Sequence, residues 1–456
     1  MKKINLILIF LAAFLIRLIA VDQSLWLDEA TTARVAGQYG YLEIISKFSP
    51  TDFHPPLYYL FMKFWTGMFG NSEAILRLPS ILFSLGAGYL LYLMGGIWAA
   101  VFFLFNPLVV YYSQEVRMYM MAVFFLTGGL HYFIKVCHPE LVPGSRDKLG
   151  MRRTSHLIFF NVFLILSFYT FYGSIFLIAA MVLYLVYKRE YRVLIVTTMM
   201  FGAYAAVLSP LTLMQLKNSR VALQQVANWS QVLGTANLKN LVLIPIKFSI
   251  GRIDFYPKWL YYAASSLWTV FVFGNLVRFN LKKVEPLWKT WFFLFVFPLF
   301  LGLIFSFFSP LLQYFRFIYL IPVLSLLLSF QADRRTRIQP VRLNWLLLAG
   351  FLFWSLVYLL LPQFHREDWK QTAAKIGRGL PVYMVVSSSD PMRYYARDIV
   401  IRDLKGLESA RENSLVVIPY TSDIHGIDYK KTLAEKRYRL NKTYSLRGLT
   451  YEEWVR

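Results

Sequence analysis

Long apolar stretches, separated by short polar or basic connections, dominate the chain. Stretches of roughly 17 to 22 residues, enough to carry a helix across about 30 Å of hydrocarbon, lie near residues 4–21, 74–93, 95–112, 117–135, 156–171, 172–188, 192–214, 258–278, 287–308, 315–331 and 343–361. They predict an all-α polytopic membrane protein of about eleven transmembrane helices, with Tyr172-Gly173 dividing the fifth from the sixth. Two segments depart from the pattern. Leu57 to Trp65 is too short to span and too apolar to be solvated, and Pro55-Pro56 precedes it, so it predicts a proline-started helix in the interface plane with its aromatics toward lipid. After Leu361 the composition turns mixed and soluble. Asp368 to Ile376 reads as a helix, Val382 to Val386 and Ser414 to Ile418 as strands, and Asp390 as the start of another helix. The expected division is a membrane domain over 1–361 and a small external α/β domain over 362–456.

Composition agrees with this class. Of the 456 residues 57% are hydrophobic and 18% aromatic, more apolar length than a soluble domain of this size hides. A net charge of +23 would suggest nucleic acid as a partner in a soluble chain. Here much of it sits in short loops, and eleven spans place Lys2 and Lys3, Lys135 to Arg153, Lys188 to Arg192, Arg278 to Lys283 and Arg334 to Arg342 on one side, as cytoplasmic loops require. The N-terminus is then cytoplasmic, and the acidic loop from Val21 to Glu73, the segment from Gln215 to Pro257 and the tail are external. A cleaved leader is the lesser reading of the first run, since Arg17 interrupts it and Asp28 would lose its anchor. The single cysteine, Cys137, allows neither an intramolecular disulfide nor a thiol metal cluster.

Candidate chemistry gathers on the outer side. Asp28 and Glu29 follow the first span directly, where a carboxylate against an apolar wall can serve as a base or hold a cation or a hydroxyl. His54 stands at the start of the interfacial helix, where free N–H groups and the helix dipole favour an anion such as phosphate; its plainer role is to cap that helix. Glu115 and Arg117, on a helix starting at Ser113, would point to different faces and each seek another partner: a phosphate for Arg117, Arg117 or a sugar hydroxyl for Glu115, or simply water for both. Arg77 and Arg316 repeat the pattern at helix starts, with packing or snorkelling as their plainer use. Asp28, Glu29, Glu115 and His54 could also form a hard-cation or zinc site. The basic segment from Gln215 to Pro257 could cover the site, attract anions, or be a mobile loop.

Trp26-Leu27-Asp28-Glu29-Ala30, His54-Pro55-Pro56-Leu57-Tyr58-Tyr59, Leu76-Arg77-Leu78-Pro79-Ser80 and Ser113-Gln114-Glu115-Val116-Arg117-Met118-Tyr119 follow one another in this order. Together they resemble the successive motifs of the C-type membrane glycosyltransferases, in the protein O-mannosyltransferase-like branch with the lipid A aminoarabinose transferases and the lipopolysaccharide-core transferases beside it. The resemblance covers residues 1 to 135; Arg316 with Pro322 and Arg366-Glu367-Asp368-Trp369-Lys370 match more loosely. It implies a bacterial plasma-membrane enzyme that moves a sugar from a polyprenyl phosphate to a hydroxyl of a protein, glycolipid or polysaccharide, with inversion. Asp28 matches the general base, with Glu29 orienting it or the acceptor. His54, Arg117 and Arg77 fall at the donor phosphate, and Glu115, Arg316 and Tyr58 at substrate. The branch generally works without a metal, so none is expected, and no other cofactor. The rival class is a transporter or flippase for lipid-linked saccharides, which Arg17 inside the first span would suit. A non-catalytic envelope scaffold would need no aligned external carboxylates.

Overall fold

A computed structural model describes residues 2–138, 149–277, 286–330, 341–376 and 379–456. The basic segments expected on the inner side at 135–153, 278–283 and 334–342 lie in whole or in large part outside these residues. Helix covers all or most of each of the eleven apolar runs. Among the described residues, five helices are long and apolar enough to cross a membrane by length and composition: Glu73–Leu104, Tyr119–Cys137, Tyr191–Gln225, Pro286–Ser306 and Arg342–Leu360. Ile4–Ile16, Tyr172–Tyr187 and Tyr314–Phe330 are shorter apolar helices.

The first run stops being helical at Ile16, earlier than expected. Arg17 turns its guanidinium back onto the carbonyls of Ala13 and Leu104, at 2.7 Å each, and Gln114 Nε2 donates to the carbonyls of Arg17 and Ile19. Those bonds satisfy the backbone where the helix would have continued.

The second and third runs form a hairpin. Gly96, at φ 71°, breaks the long helix from Glu73, and only glycine adopts that conformation without strain. A Cβ on Gly88 would lie 2.6 Å from Leu104, so residues equally far on either side of Gly96 touch and the chain doubles back. The third run breaks again at Asn106, whose side chain accepts from the N–H groups of Leu108 and Val109 and starts a new helix, Pro107–Ser113. No helix begins at Ser113, contrary to the sequence reading. Residues 114–118 are an irregular bridge before Tyr119–Cys137, held by Ser80 Oγ donating to the Glu115 carbonyl at 2.6 Å.

The interfacial segment is the helix Leu57–Phe69, preceded by Pro56. Phe64, Met68 and Phe69 are exposed while Tyr58, Tyr59 and Met62 are buried, so only part of its aromatic set faces outward. The segment expected as a long external loop is largely helical, as the end of Tyr191–Gln225, Trp229–Leu233 and Leu238–Ile250. Ile244 and Phe248 bury against the main core, and Gln215 and Asn218 donate to the carbonyls of Ser49, His54 and Pro50.

The C-terminal unit is the expected α/β domain. Strands β1 (Val382–Met384), β2 (Ile401–Asp403), β3 (Ser414–Val417), β4 (Arg439–Leu446) and β5 (Leu449–Val455) form one sheet in the order β2-β1-β3-β5-β4. The pairs of β1 with β2 and β3 are parallel, and those of β5 with β3 and β4 antiparallel. Alternation along the strands feeds two cores. Tyr383, Leu415, Val417 and Trp454 pack on one face with Leu404 and Leu433. Val382, Met384, Val416 and Tyr451 pack on the other with Trp369 and Met392. This domain docks on the segment that follows the first apolar run: Arg34 pairs with Asp390 at 2.9 Å, Thr31 Oγ1 donates to Asp390, and Tyr395 takes the N–H of Leu25.

Candidate active site

The helix Leu27–Gln38 follows the first apolar helix, with Asp28 and Glu29 in its first turn, where the dipole favours acidic groups. Adjacent helical residues diverge by about 100°, and here that divergence separates an exposed carboxylate from a buried one.

Glu29 points inward and is fully buried. Arg77 binds both its oxygens, Nε to Oε1 at 3.1 Å and Nη2 to Oε2 at 2.7 Å, and Arg366 Nε lies 3.2 Å from Oε2. The Val116 N–H donates to Oε1 at 2.9 Å and ties the 114–118 bridge to the same group. Burial alone would raise the Glu29 pKa, but the charges of Arg366 and Arg77 and these hydrogen bonds outweigh it and hold the carboxyl below its usual range. Glu115, also buried, pairs with Arg366 Nη2 at 3.4 Å. Burial first, then the Glu29 charge, pushes its pKa up to about 7, against the pull of Arg366, Arg252 and Arg117.

Asp28 points the other way, its side chain 38% exposed, with Oδ2 3.6 Å from Arg117 Nη2. The same guanidinium donates to Tyr59 Oη at 3.2 Å and faces His54 Nε2 at 3.4 Å, while His54 Nδ1 lies 3.5 Å from Asp52 Oδ2. The His54 ring thus stands between the Arg117 guanidinium and the Asp52 carboxylate. The Asp52 carboxyl is buried, which by itself would raise its pKa; His54 and Arg117 hold it below its usual range. Asp28, Arg117, His54 and Asp52 therefore form one connected row whose accessible end is Asp28.

Several expected contacts have other uses. Arg77 is not available to a phosphate: all five of its N–H donors are spent on Glu29 and on the carbonyls of Val21, Gln23 and Ser24. Glu29 is fully buried, and Glu115, also buried, pairs with Arg366. Tyr58 is packed at 2% exposure, edge-on to Tyr59, so its ring belongs to the core. His54 does not cap the Leu57–Phe69 helix, which has no side-chain cap; its ring turns to Arg117. Arg316 is half-buried on the turn Tyr314–Leu320, 6.0 Å from the ring of Phe315, with no carboxylate within 4 Å among the described residues. The described residues hold no group of three metal-ligating side chains.

No protein-family model matches the sequence, and no curated protein matches it significantly. Solved structures do match. ArnT from Cupriavidus metallidurans bound to undecaprenyl phosphate aligns over 99% of this chain and 98% of its own, at 14% identity and a TM-score of 0.58; its apo state gives 0.59. The apo oligosaccharyltransferase of Archaeoglobus fulgidus aligns over 86% of this chain and 64% of its own, at 10% identity and a TM-score of 0.51. The chain has the C-type membrane glycosyltransferase fold.

Two further arginines belong to this neighbourhood, Arg366 from a loosely matching motif and Arg252, which no motif pointed to. Arg366, in the segment leading into the C-terminal domain, reaches the buried carboxylates Glu29 and Glu115 and lies over Tyr111, 4.6 Å from the ring centroid; Tyr358 Oη accepts from its Nη1 at 3.3 Å. Arg252, from the segment after Leu238–Ile250, covers the same Tyr111 ring at 4.9 Å and donates to its hydroxyl at 2.8 Å, with no carboxylate within 4 Å among the described residues. The carboxylate partners of Arg366, Glu29 and Glu115, lie hundreds of residues upstream, a distance at which local pattern carries no signal.

Proposed function

We propose that the chain is an integral membrane glycosyltransferase that moves a monosaccharide from a polyprenyl-phosphate donor to an acceptor hydroxyl on the external face of a bacterial plasma membrane. The observation that carries the reading is the pairing of an accessible carboxylate, Asp28, with a buried guanidinium, Arg117, 3.6 Å away. Asp28 takes the proton from the acceptor hydroxyl as its oxygen bonds to the anomeric carbon. The bond from that carbon to the phosphate oxygen breaks on the opposite face, the configuration inverts, and the electron pair leaves on the polyprenyl phosphate. Arg117 carries charge that the departing phosphate can share, and Arg252 and Arg316 are further cations without a carboxylate partner among the described residues. Phosphate is a good leaving group, so cations can replace a general acid, and the reaction in this reading uses neither metal nor other cofactor.

Eleven crossings with a cytoplasmic N-terminus put Asp28 and the outer domain on the external side, where donors are lipid-linked. The fold neighbours include ArnT bound to undecaprenyl phosphate and an archaeal oligosaccharyltransferase with dolichol-phosphate and an inhibitory peptide, which supports a lipid-phosphate donor. The transporter alternative leaned on Arg17, but its fully buried guanidinium bonds the carbonyls of Ala13 and Leu104 and joins two helices rather than lining a path.

The test is transfer of radiolabelled sugar from a panel of undecaprenyl-phosphate monosaccharides by the purified chain and by Asp28→Asn. Transfer that vanishes in the variant while undecaprenyl phosphate still binds supports the reading. A fully active Asp28→Asn overturns the base assignment.

A further inference from the structure

The loop from Ser49 to His54 brings Asp52 and His54 to the row that ends at Asp28, and it is short of backbone donors. Pro50 interrupts it, and Pro55 and Pro56 follow it, all without an N–H. Side chains of the helix Tyr191–Gln225 hold its carbonyls instead. Gln215 Nε2 donates to the Ser49 carbonyl at 2.6 Å and to the His54 carbonyl at 2.9 Å, and Asn218 Nδ2 donates to the Pro50 carbonyl at 2.6 Å. Gln215 therefore brackets the loop at both ends.

The Gln215 amide is itself held. It is 3% exposed, Tyr172 Oη donates to its Oε1 at 2.7 Å, and Thr212 Oγ1 donates to Tyr172 Oη at 3.1 Å. Thr212, Gln215 and Asn218 are spaced three apart, which puts them on one face of the helix. The two groups that its nitrogen meets are carbonyls, which can only accept, so the amide has one orientation and spends both N–H groups on the loop. Buried polar groups satisfied in this way are rigid. The loop they fix presents His54, whose Nε2 faces Arg117 Nη2 at 3.4 Å, and Arg117 lies 3.6 Å from Asp28. A line of contacts thus runs from Tyr172 through Gln215, His54 and Arg117 to the accessible carboxylate.

Resting on the transferase reading, we propose that Gln215 is a positioning residue for the donor phosphate: by fixing the 49–54 loop it sets His54, and through His54 it keeps the Arg117 guanidinium beside Asp28, where the departing lipid phosphate needs it. Gln215 touches neither substrate nor the reacting atoms. A binding group displaced by a fraction of an ångström loses much of its effect. A carboxylate of the same shape at position 215 would face two carbonyl oxygens instead of donating to them.

The test uses the full chain in lipid nanodiscs and reads undecaprenyl-phosphate affinity by titration calorimetry beside a melting curve. Gln215→Glu keeps the shape and reverses the hydrogen bonding, and Gln215→Leu removes the bonds without repulsion. Each should weaken undecaprenyl-phosphate binding about tenfold or more in protein that still melts cooperatively. His54→Ala should weaken binding by itself and absorb the effect: in that background Gln215→Leu should change affinity by less than about twofold, because the residue it acts through is gone. Tyr172→Phe leaves the amide in place and removes the donor that orients it. It should shift affinity in the same direction by about threefold, and it decides the matter if neither Gln215 variant melts cooperatively. Unchanged affinity in the folded variants, or an equal loss with and without the His54 side chain, overturns the proposal and makes Gln215 a structural tie. A wild-type chain that binds no undecaprenyl phosphate overturns the lipid-phosphate donor reading itself, a distinguishable result.

Discussion

Glu29 and Arg366 belong to opposite ends of the chain, yet Arg366 Nε lies 3.2 Å from Glu29 Oε2 with both side chains out of water. Arg77 completes the coordination of Glu29 from a third segment. A charge this deep is tolerable only while its partners are present, since desolvation costs several kcal/mol per ion.

Arg366→Met should therefore cost about 3 to 5 kcal/mol, the penalty for removing one partner of a buried pair. It leaves Glu115 without its ion-pair partner and removes one of the ties between the C-terminal domain and the loop after the first apolar run. Thermal melting in detergent with limited proteolysis is the check. A variant that melts with the wild type and resists protease equally would show that the docking does not depend on this arginine.

Asp28→Asn should behave in the opposite way, removing activity but not stability. Asp28 is 38% exposed and pairs only loosely with Arg117, so the melting temperature should hardly move. Loss of a general base typically costs about 10² to 10⁴ in rate. Initial rates of sugar transfer alongside a melting curve separate the two effects.

Arg117 should be sensitive even to conservative change. Its guanidinium touches Asp28, Tyr59 and His54 at once, and lysine has a single nitrogen to offer. Arg117→Lys is expected to weaken undecaprenyl-phosphate binding about 10-fold or more, as for a charge-assisted hydrogen bond. Titration calorimetry that finds identical affinity would remove Arg117 from the phosphate site.

Stability should carry the signature of Glu115. Burial raises its pKa from 4.5 to about 7, so the folded state holds that proton more tightly than the unfolded state does. The contribution is full below pH about 4.5 and is lost as pH rises through about 7. Glu115→Gln removes this dependence, and its melting temperature should improve relative to wild type between pH 5 and pH 8, by the equivalent of roughly 1 to 3 kcal/mol. Glu29 has the opposite sign: its lowered pKa stabilises above the ordinary carboxylate range, and that contribution is lost as pH falls, in both proteins. Parallel melting curves across pH 5 to 8 would contradict the shift at Glu115.

Transfer should continue in EDTA at the wild-type rate. Glu29 and Glu115 are occupied by arginines, and among the described residues no three His, Cys, Asp or Glu side chains are placed to hold a metal. Activity that collapses on chelation and returns with added zinc or manganese would place a metal in the mechanism.

The helices and most outer-domain elements were legible in the sequence because they rest on local pattern. Apolar runs of membrane length became helices, the Asn106 and Pro107 signals were present although the run hid them, and the alternating residues of β1 and β3 became strands. The neighbourhood of Asp28 was legible too, since Trp26 to Ala30, His54 to Tyr59 and Ser113 to Tyr119 pointed to one outer site. Tertiary structure decided how the charges within that site are divided. Asp28 and Glu29 are adjacent acids with no local difference, and only the arrival of Arg77 and Arg366 makes one an interior tie and leaves the other facing the opening. Arg366 gains its place because the segment entering the C-terminal domain folds onto the first loop, and Arg252 because the segment after Ile250 folds onto Tyr111. Electrostatic energy depends on distance and burial in three dimensions, and neither can be read from position along the chain.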